Sequence, residues 1–216
     1  VEHYVGTSAG SIISVLLLIG YKPKDIYNFC LYFNIEKLIN DSNLDNFLEN
    51  FGFQSSIKLS YVLKRLLENK KIKDSITFKE LFNITNKKVT ITGVCLNNNS
   101  IYFFNHEKTP DMSILLAVRI SSNIPIIFTP IDYDNKLWID GGTILNYPIE
   151  VCHDEIDNTI GISFYNDIST CKDDIKDTFT YLSFLLKCIV FGNSKKTVEK
   201  YNNNTCKDYL NREIEW

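Results

Sequence analysis

Gly6-Thr7-Ser8-Ala9-Gly10 joins a short extended run, Val1–Val5, to an apolar run from Ser11 to about Ile19. A G-x-S-x-G between a strand and a helix is the pattern of a nucleophile elbow, a sharp turn that lifts a serine hydroxyl to the carboxyl edge of a sheet. The run after it has no polar face, so the helix it forms is buried all round. Gly20 stands where a C-terminal cap would. In this setting Ser8 is a nucleophile candidate. Gly6, Thr7, Ala9 and Gly10 form its frame, expected to be small at the flanks so that neighbouring segments pack closely. The helix N-terminus beside Ser8 can stabilise developing negative charge. A plain glycine-serine turn before a core helix would have the same five letters; the strand-to-helix placement favours the nucleophile.

Downstream, Pro23 suits the first turn of a second helix, in which Ile26, Phe29, Cys30 and Phe33 share one face. Leu44–Phe51 and Leu59–Leu67 read as amphipathic helices. Thr77 followed by Glu80 has capping-box spacing before a short helix, Phe78–Phe82. The period then changes. Val89, Ile91, Gly93 and Cys95 alternate as a half-buried strand, and Ile101–Phe104 is a second strand after an Asn-rich turn. A helix is expected over Asp111–Ser121, strands over Lys136–Ile139 and Thr159–Phe164, and a long helix over Asp174–Phe191. Strands alternating with helices argue for an α/β layered fold. No repeat or long linker divides the chain, so 1–216 reads as one domain, with a polar tail of uncertain order over 193–216.

The 216 residues are 44% hydrophobic and 23% charged, which is globular composition. A net charge of -3 provides no basic field for phosphate backbones, so nucleic acid is not an expected partner. The six cysteines form no C-x-x-C pair, and no zinc or other metal site is expected; they read as buried thiols. No apolar run reaches the ~20 residues of a membrane span. The single Met is Met112 and residue 1 is Val1, so the natural start is expected upstream.

A serine nucleophile needs a base. His3 lies in the strand before the elbow and is expected to pack in the sheet. His106 reads as a solvated turn residue. His153 follows Asp140 in the chain order of an α/β-hydrolase triad, but its surroundings, Glu150 to Glu155, look like an exposed acidic turn. Asp140 closes an apolar strand, Leu137-Trp138-Ile139, and is followed by Gly141 and Gly142, which clear space around it. Taken alone, Asp140 reads better as an Asp-Gly turn serving only as punctuation.

Four segments in order resemble the patatin-like phospholipase family. They are the Gly6–Gly10 elbow; Thr77-Phe78-Lys79-Glu80-Leu81-Phe82 with the strand Val89–Val94; Thr109-Pro110-Asp111-Met112-Ser113 leading through Ala117–Ser121 to Ile124-Pro125 and Phe128-Thr129-Pro130; and Trp138-Ile139-Asp140-Gly141-Gly142 with Asn146-Tyr147-Pro148-Ile149 after it. The resemblance spans Val1 to about Phe164. It implies a three-layer α/β/α fold around a central, mainly parallel sheet. It also implies a Ser8–Asp140 dyad with Ser8 as nucleophile and Asp140 as its proton acceptor, and a lipid acyl ester as substrate, cleaved through an acyl-serine intermediate without cofactor or metal. Lipid or phospholipid is the implied partner, with peripheral membrane contact and a cytoplasmic or membrane-peripheral location favoured.

Two departures from the family pattern stand out. Ile120 and Asn123 occupy places where relatives carry small alanines. The family's glycine-rich oxyanion loop precedes the elbow strand, and only five residues precede Gly6 here. The first strand and that loop are therefore expected to be missing, and the chain as given is expected to be weakly active or inactive. Three alternatives stay open: a lipid-binding or regulatory module of the same fold that has lost its chemistry, an α/β-hydrolase-type esterase using His153, and a non-enzymatic interaction domain. The aromatic-rich segment 23–67, with Tyr27, Phe47 and Phe51 among its residues, is either core packing or an acyl channel or lid.

Overall fold

The computed structural model describes residues 1–33, 44–165 and 178–209. It forms two compact units, Val1–Thr143 and Ile144–Trp216.

In the first unit, β1 (His3–Gly6) leads through Ser8 into α1 (Ala9–Leu18), followed by α2 (Pro23–Tyr32), α3 (Leu44–Asn50), β2 (Gly52–Gln54) and α4 (Ile57–Asn69). Next come α5 (Phe78–Thr85), the hairpin β3 (Lys88–Cys95) and β4 (Ser100–Phe104), α6 (Ile114–Ser121), β5 (Ile126–Phe128), β6 (Ile131–Tyr133) and β7 (Lys136–Asp140). β3 is the centre of a five-stranded sheet. β4 runs antiparallel along one edge of it, from Ile91 opposite Phe104 to Cys95 opposite Ser100. The other edge is shared. β1 pairs in parallel with its first half, ending at Gly6 opposite Ile91. β7 pairs antiparallel with its last residues, from Cys95 opposite Trp138 to Gly93 opposite Asp140.

The α/β architecture is as the sequence implies. Parallel pairing holds for β1 on β3 and for β2 on β5, while β4, β6 and β7 pair antiparallel. For β6 and β7 a short loop dictates this. β6 and β7 are joined through Asp134 and Asn135, both at positive φ (54° and 55°), the conformation of a two-residue hairpin turn.

Helices are placed by their apolar stripes and caps. Leu59, Leu63 and Leu67 bury one face of α4. The expected capping box forms at α5. Thr77 Oγ1 accepts the Glu80 N–H at 3.2 Å, and Glu80 Oε2 accepts the Thr77 N–H at 2.9 Å. α6 starts at Ile114, later than expected, because the Ser113 hydroxyl caps it by accepting the Leu116 N–H at 3.1 Å. The two caps are joined in an isolated antiparallel bridge, Thr77 with Ser113. Ile91, Cys95, Phe104 and Trp138 from the sheet pack with Leu81, Ala117, Ile120, Leu63 and Val15 from the helices in one core.

The second unit holds a 3-10 stretch, Ile149–Asn158, then β8 (Gly161–Tyr165), α7 (Thr178–Lys200) and β9 (Thr205–Tyr209). β8 and β9 pair in parallel. Tyr147, Ile149 and Val198 form its small core. Part of the segment expected as a polar tail is thus ordered: α7 runs to Lys200, where Lys200 Nζ meets Glu150 Oε1 at 2.9 Å, and β9 follows. The expected helix start at Asp174, together with Cys171 and residues 210–216, lies outside the described residues.

Other expectations are corrected. Cys30 and Cys188 are exposed, whereas Cys95 is buried. Of the α2 face only Ile26 is buried. His106 is not a solvated turn residue: its ring stacks on Phe82 with centroids 4.1 Å apart. His3 packs in the sheet as expected, its Nε2 2.9 Å from Thr90 Oγ1.

Candidate active site

The shared edge of β3 brings Ser8 and Asp140 together. β1 ends opposite Ile91 and β7 ends opposite Gly93, so the chain two residues beyond Gly6 arrives at the level of Gly93, where Asp140 already stands. Ser8 Oγ donates to Asp140 Oδ2 at 2.6 Å. The other carboxylate oxygen, Oδ1, accepts the Gly142 N–H at 2.7 Å.

Ser8 has φ 53° and ψ -128°. Positive φ is rare for a residue with a Cβ, and such conformations cost about 1–3 kcal/mol unless the surroundings enforce them. Gly6 makes the tight turn possible. A Cβ there would lie 2.4 Å from the Gly10 carbonyl oxygen. Gly10 is different, because a Cβ at that position meets nothing within 4 Å. Of the two flanking glycines, therefore, only Gly6 is required by close packing. Thr7 is buried, and its Oγ1 lies 2.7 Å from Thr92 Oγ1 on β3. The same Thr92 hydroxyl would be 2.1 Å from a Cβ at Gly141. The glycine after Asp140 thus lets the chain cross Thr92 closely. Ala9 is exposed and opens α1.

Asp140 is 4% exposed. Burial pushes its carboxyl up to about 6, against the opposing effect of the Ser8 hydroxyl and the Gly142 N–H, which favour the charged form. An isolated carboxylate titrates near ~3.9, so the buried one is a stronger base by about two pH units. The arrangement can hold a hydroxyl and a proton acceptor in contact near neutral pH.

The remaining sequence candidates have surroundings of their own. His3 and His106 are engaged with Thr90 and Phe82. His153 is exposed on the 3-10 stretch of the second unit. Arg119 donates from Nε to Ser56 Oγ at 3.0 Å. Among the described residues no group of His, Cys, Asp and Glu is arranged to hold a metal ion, and no helix is long and apolar enough to cross a membrane.

Spacing did not reveal the residues that touch the backbone of the pair. Ser121 Oγ accepts the Ser8 N–H at 3.0 Å. Ser122 Oγ and Ser11 Oγ donate to the Ser8 carbonyl at 3.2 and 2.6 Å. The Asn123 carbonyl accepts the Asp140 N–H at 3.0 Å. Only the unusual Asn123 gave a signal in the sequence.

A probable lipid hydrolase of Invertebrate iridescent virus 6 is 37% identical over 157 residues, covering 70% of this chain and 53% of that protein. An uncharacterized protein of Acanthamoeba polyphaga mimivirus is 31% identical over 211 residues, covering 97% of this chain and 69% of its own. The chain therefore spans about half the length of the iridescent virus relative. VipD from Legionella pneumophila shares the fold, with a TM-score of 0.57 at 15% identity over 96% of this chain and 55% of its own. The sequence profile described as patatin-like phospholipase matches residues 1–153, and the chain belongs to that family.

Proposed function

We propose that the protein is a phospholipase A-like lipid acyl hydrolase working through Ser8 and Asp140. The observation that carries this reading is the 2.6 Å hydrogen bond from the Ser8 hydroxyl to the buried Asp140 carboxylate. Family membership and the relative named as a probable lipid hydrolase support the substrate class.

In the proposed reaction the Ser8 proton passes to Asp140 Oδ2 as Oγ bonds to the ester carbonyl carbon, and the carbonyl electron pair moves onto oxygen. Collapse of that adduct breaks the ester C–O bond. The departing alcohol takes the proton from Asp140 and leaves an acyl-serine. Water, deprotonated by Asp140, then attacks the acyl carbon. Ser8 Oγ leaves with the returned proton, and the fatty acid is released. The N-terminus of α1 contributes a favourable field at the developing oxyanion.

An apolar cavity of about 380 Å³ is lined by Phe47, Leu48, Phe51, Pro125, Ile126 and Ile139 among others; neither Ser8 nor Asp140 lines it. Exposed Tyr27, Tyr32, Leu48 and Phe51 support peripheral contact with a membrane. The test is incubation of the full protein with phospholipid vesicles and with a fluorophosphonate, followed by mass spectrometry. Fatty-acid release and a covalent adduct on Ser8, both lost in Ser8→Ala, are expected. Release that persists in Ser8→Ala would refute the reading.

A further inference from the structure

Ser121, Ser122 and Asn123, the residues at the C-terminal end of α6 and just past it, touch the main chain of both Ser8 and Asp140. Each contact answers a need. At φ 53° the Ser8 N–H precedes the first turn of α1, where backbone donors have no intrahelical acceptor. Ser121, fully buried, supplies one through its hydroxyl oxygen at 3.0 Å. The Ser8 carbonyl receives two side-chain hydroxyls, from Ser11 and Ser122, as well as the Ser11 N–H at 2.9 Å. Both backbone groups of a strained residue are thus held in that conformation.

Asn123, also fully buried, works on the other partner. Its carbonyl accepts the Asp140 N–H at 3.0 Å. Its side-chain Nδ2 donates to the Thr129 carbonyl at 2.9 Å, and Thr129 in turn donates its N–H to Gln54 O at 2.7 Å. The run is therefore anchored to the β2–β5 pair. It is also anchored to the sheet. Ile120, one residue before Ser121, packs so tightly on β3 that a Cβ at Gly93 would lie 2.7 Å from its Cγ2. Gly93 is the residue opposite Asp140.

We propose that Ser121, Ser122 and Asn123 are positioning residues that act as one bracket, fixing the backbones of Ser8 and Asp140 to a common three-residue segment and so setting the distance between hydroxyl and carboxylate. The inference rests on the dyad reading above and gives a role to Asn123, one of the two residues, with Ile120, that depart from the family's small side chains.

The experiment is the rate of fluorophosphonate labelling at Ser8 in the full protein as a function of reagent concentration and pH. It compares wild type, Ser121→Ala and Ser122→Ala with Leu63→Ala, a core truncation that serves as a stability control. All are measured below their melting temperatures. Displacing a reacting group by about 1 Å costs roughly 100-fold. Ser121→Ala is therefore expected to lower the maximal labelling rate about 10- to 100-fold, with the half-saturating reagent concentration within about twofold. Its pH midpoint should move upward as the Ser8 hydroxyl releases the carboxylate. Ser122→Ala, which leaves Ser11 in place on the same carbonyl, is expected to do the same to a lesser degree, and it serves as the test if Ser121→Ala does not fold. Rates within twofold of wild type, or a fall matched by Leu63→Ala with an unmoved midpoint, would overturn the bracket. Undiminished labelling in Asp140→Asn would instead remove the dyad itself, and the bracket with it; an inactive Asp140→Asn beside a fully active Ser121→Ala would remove the bracket alone.

Discussion

Gly93 lies directly opposite Asp140 in the antiparallel pairing of β3 with β7. The glycine has no side chain because Ile120 and Phe104 occupy the space a Cβ would take, both at 2.7 Å. Replacing it with alanine forces the end of α6 away from the sheet, and α6 carries the residues that hold Ser8. Gly93→Ala should destabilise the fold by about 1–3 kcal/mol, the usual range for overpacking. It should also reduce Ser8 labelling more than its loss of stability explains, as read by chemical denaturation alongside labelling rate.

The carboxylate near pH 6 sets the acidic limb of activity. Asp140 must be ionised to take the Ser8 proton, so kcat/KM should rise with pH through a midpoint near 6 and level off above it. A midpoint near 4, measured over about pH 3 to 8 with a soluble ester, would mean that burial does not govern this carboxyl.

The same burial has a stability consequence of definite sign. The folded-state value, about 6, lies above the ordinary 3.8, so the folded protein binds a proton more tightly than the unfolded chain does. Stability is therefore lost as pH rises from about 4 to about 6 and stays lower above that window. Asp140→Asn keeps the shape and an acceptor for Gly142 without the charge. It should be more stable than wild type by about 1–3 kcal/mol at pH 8, with the difference vanishing near pH 4. Urea titrations at the two pH values check this, and the same variant should be inactive.

The two glycines that frame the elbow should separate experimentally. Gly6→Ala places a methyl 2.4 Å from the Gly10 carbonyl and should unfold the elbow, abolishing labelling. Gly10→Ala meets open space within α1 and should raise stability by about 0.5–1 kcal/mol, since alanine is the better helix residue. Thermal melts and labelling of the two variants provide the comparison.

The elements that the sequence revealed are those whose side chains carry the signal. The elbow, the capping box at Thr77 and Glu80, the alternation of β3 and the Asp140-Gly141-Gly142 turn each depend on residue type at fixed spacing. β2 and β5 escaped because strands of three residues show no alternation. β6 escaped because Asp134-Asn135 turns the hairpin without a glycine. Cys30 was misjudged because a face that repeats every third or fourth residue says a helix has a stripe and not that something covers it. The contact of Asn123 with Asp140 joins main-chain atoms that every residue possesses, and that of Ser121 meets the main chain of a residue 113 positions away, so no pattern in the letters announces them.

The end-to-end arrival of β1 and β7 on one edge of β3 makes strand register the gauge of the site. Side chains alternate faces along a strand, so sliding β7 by a single residue would turn Asp140 to the far face of the sheet and bring Ile139 to face Ser8. Chemistry here depends on how two strands count along a third, and any change in the β6–β7 hairpin that alters the count by one would silence the serine without touching it.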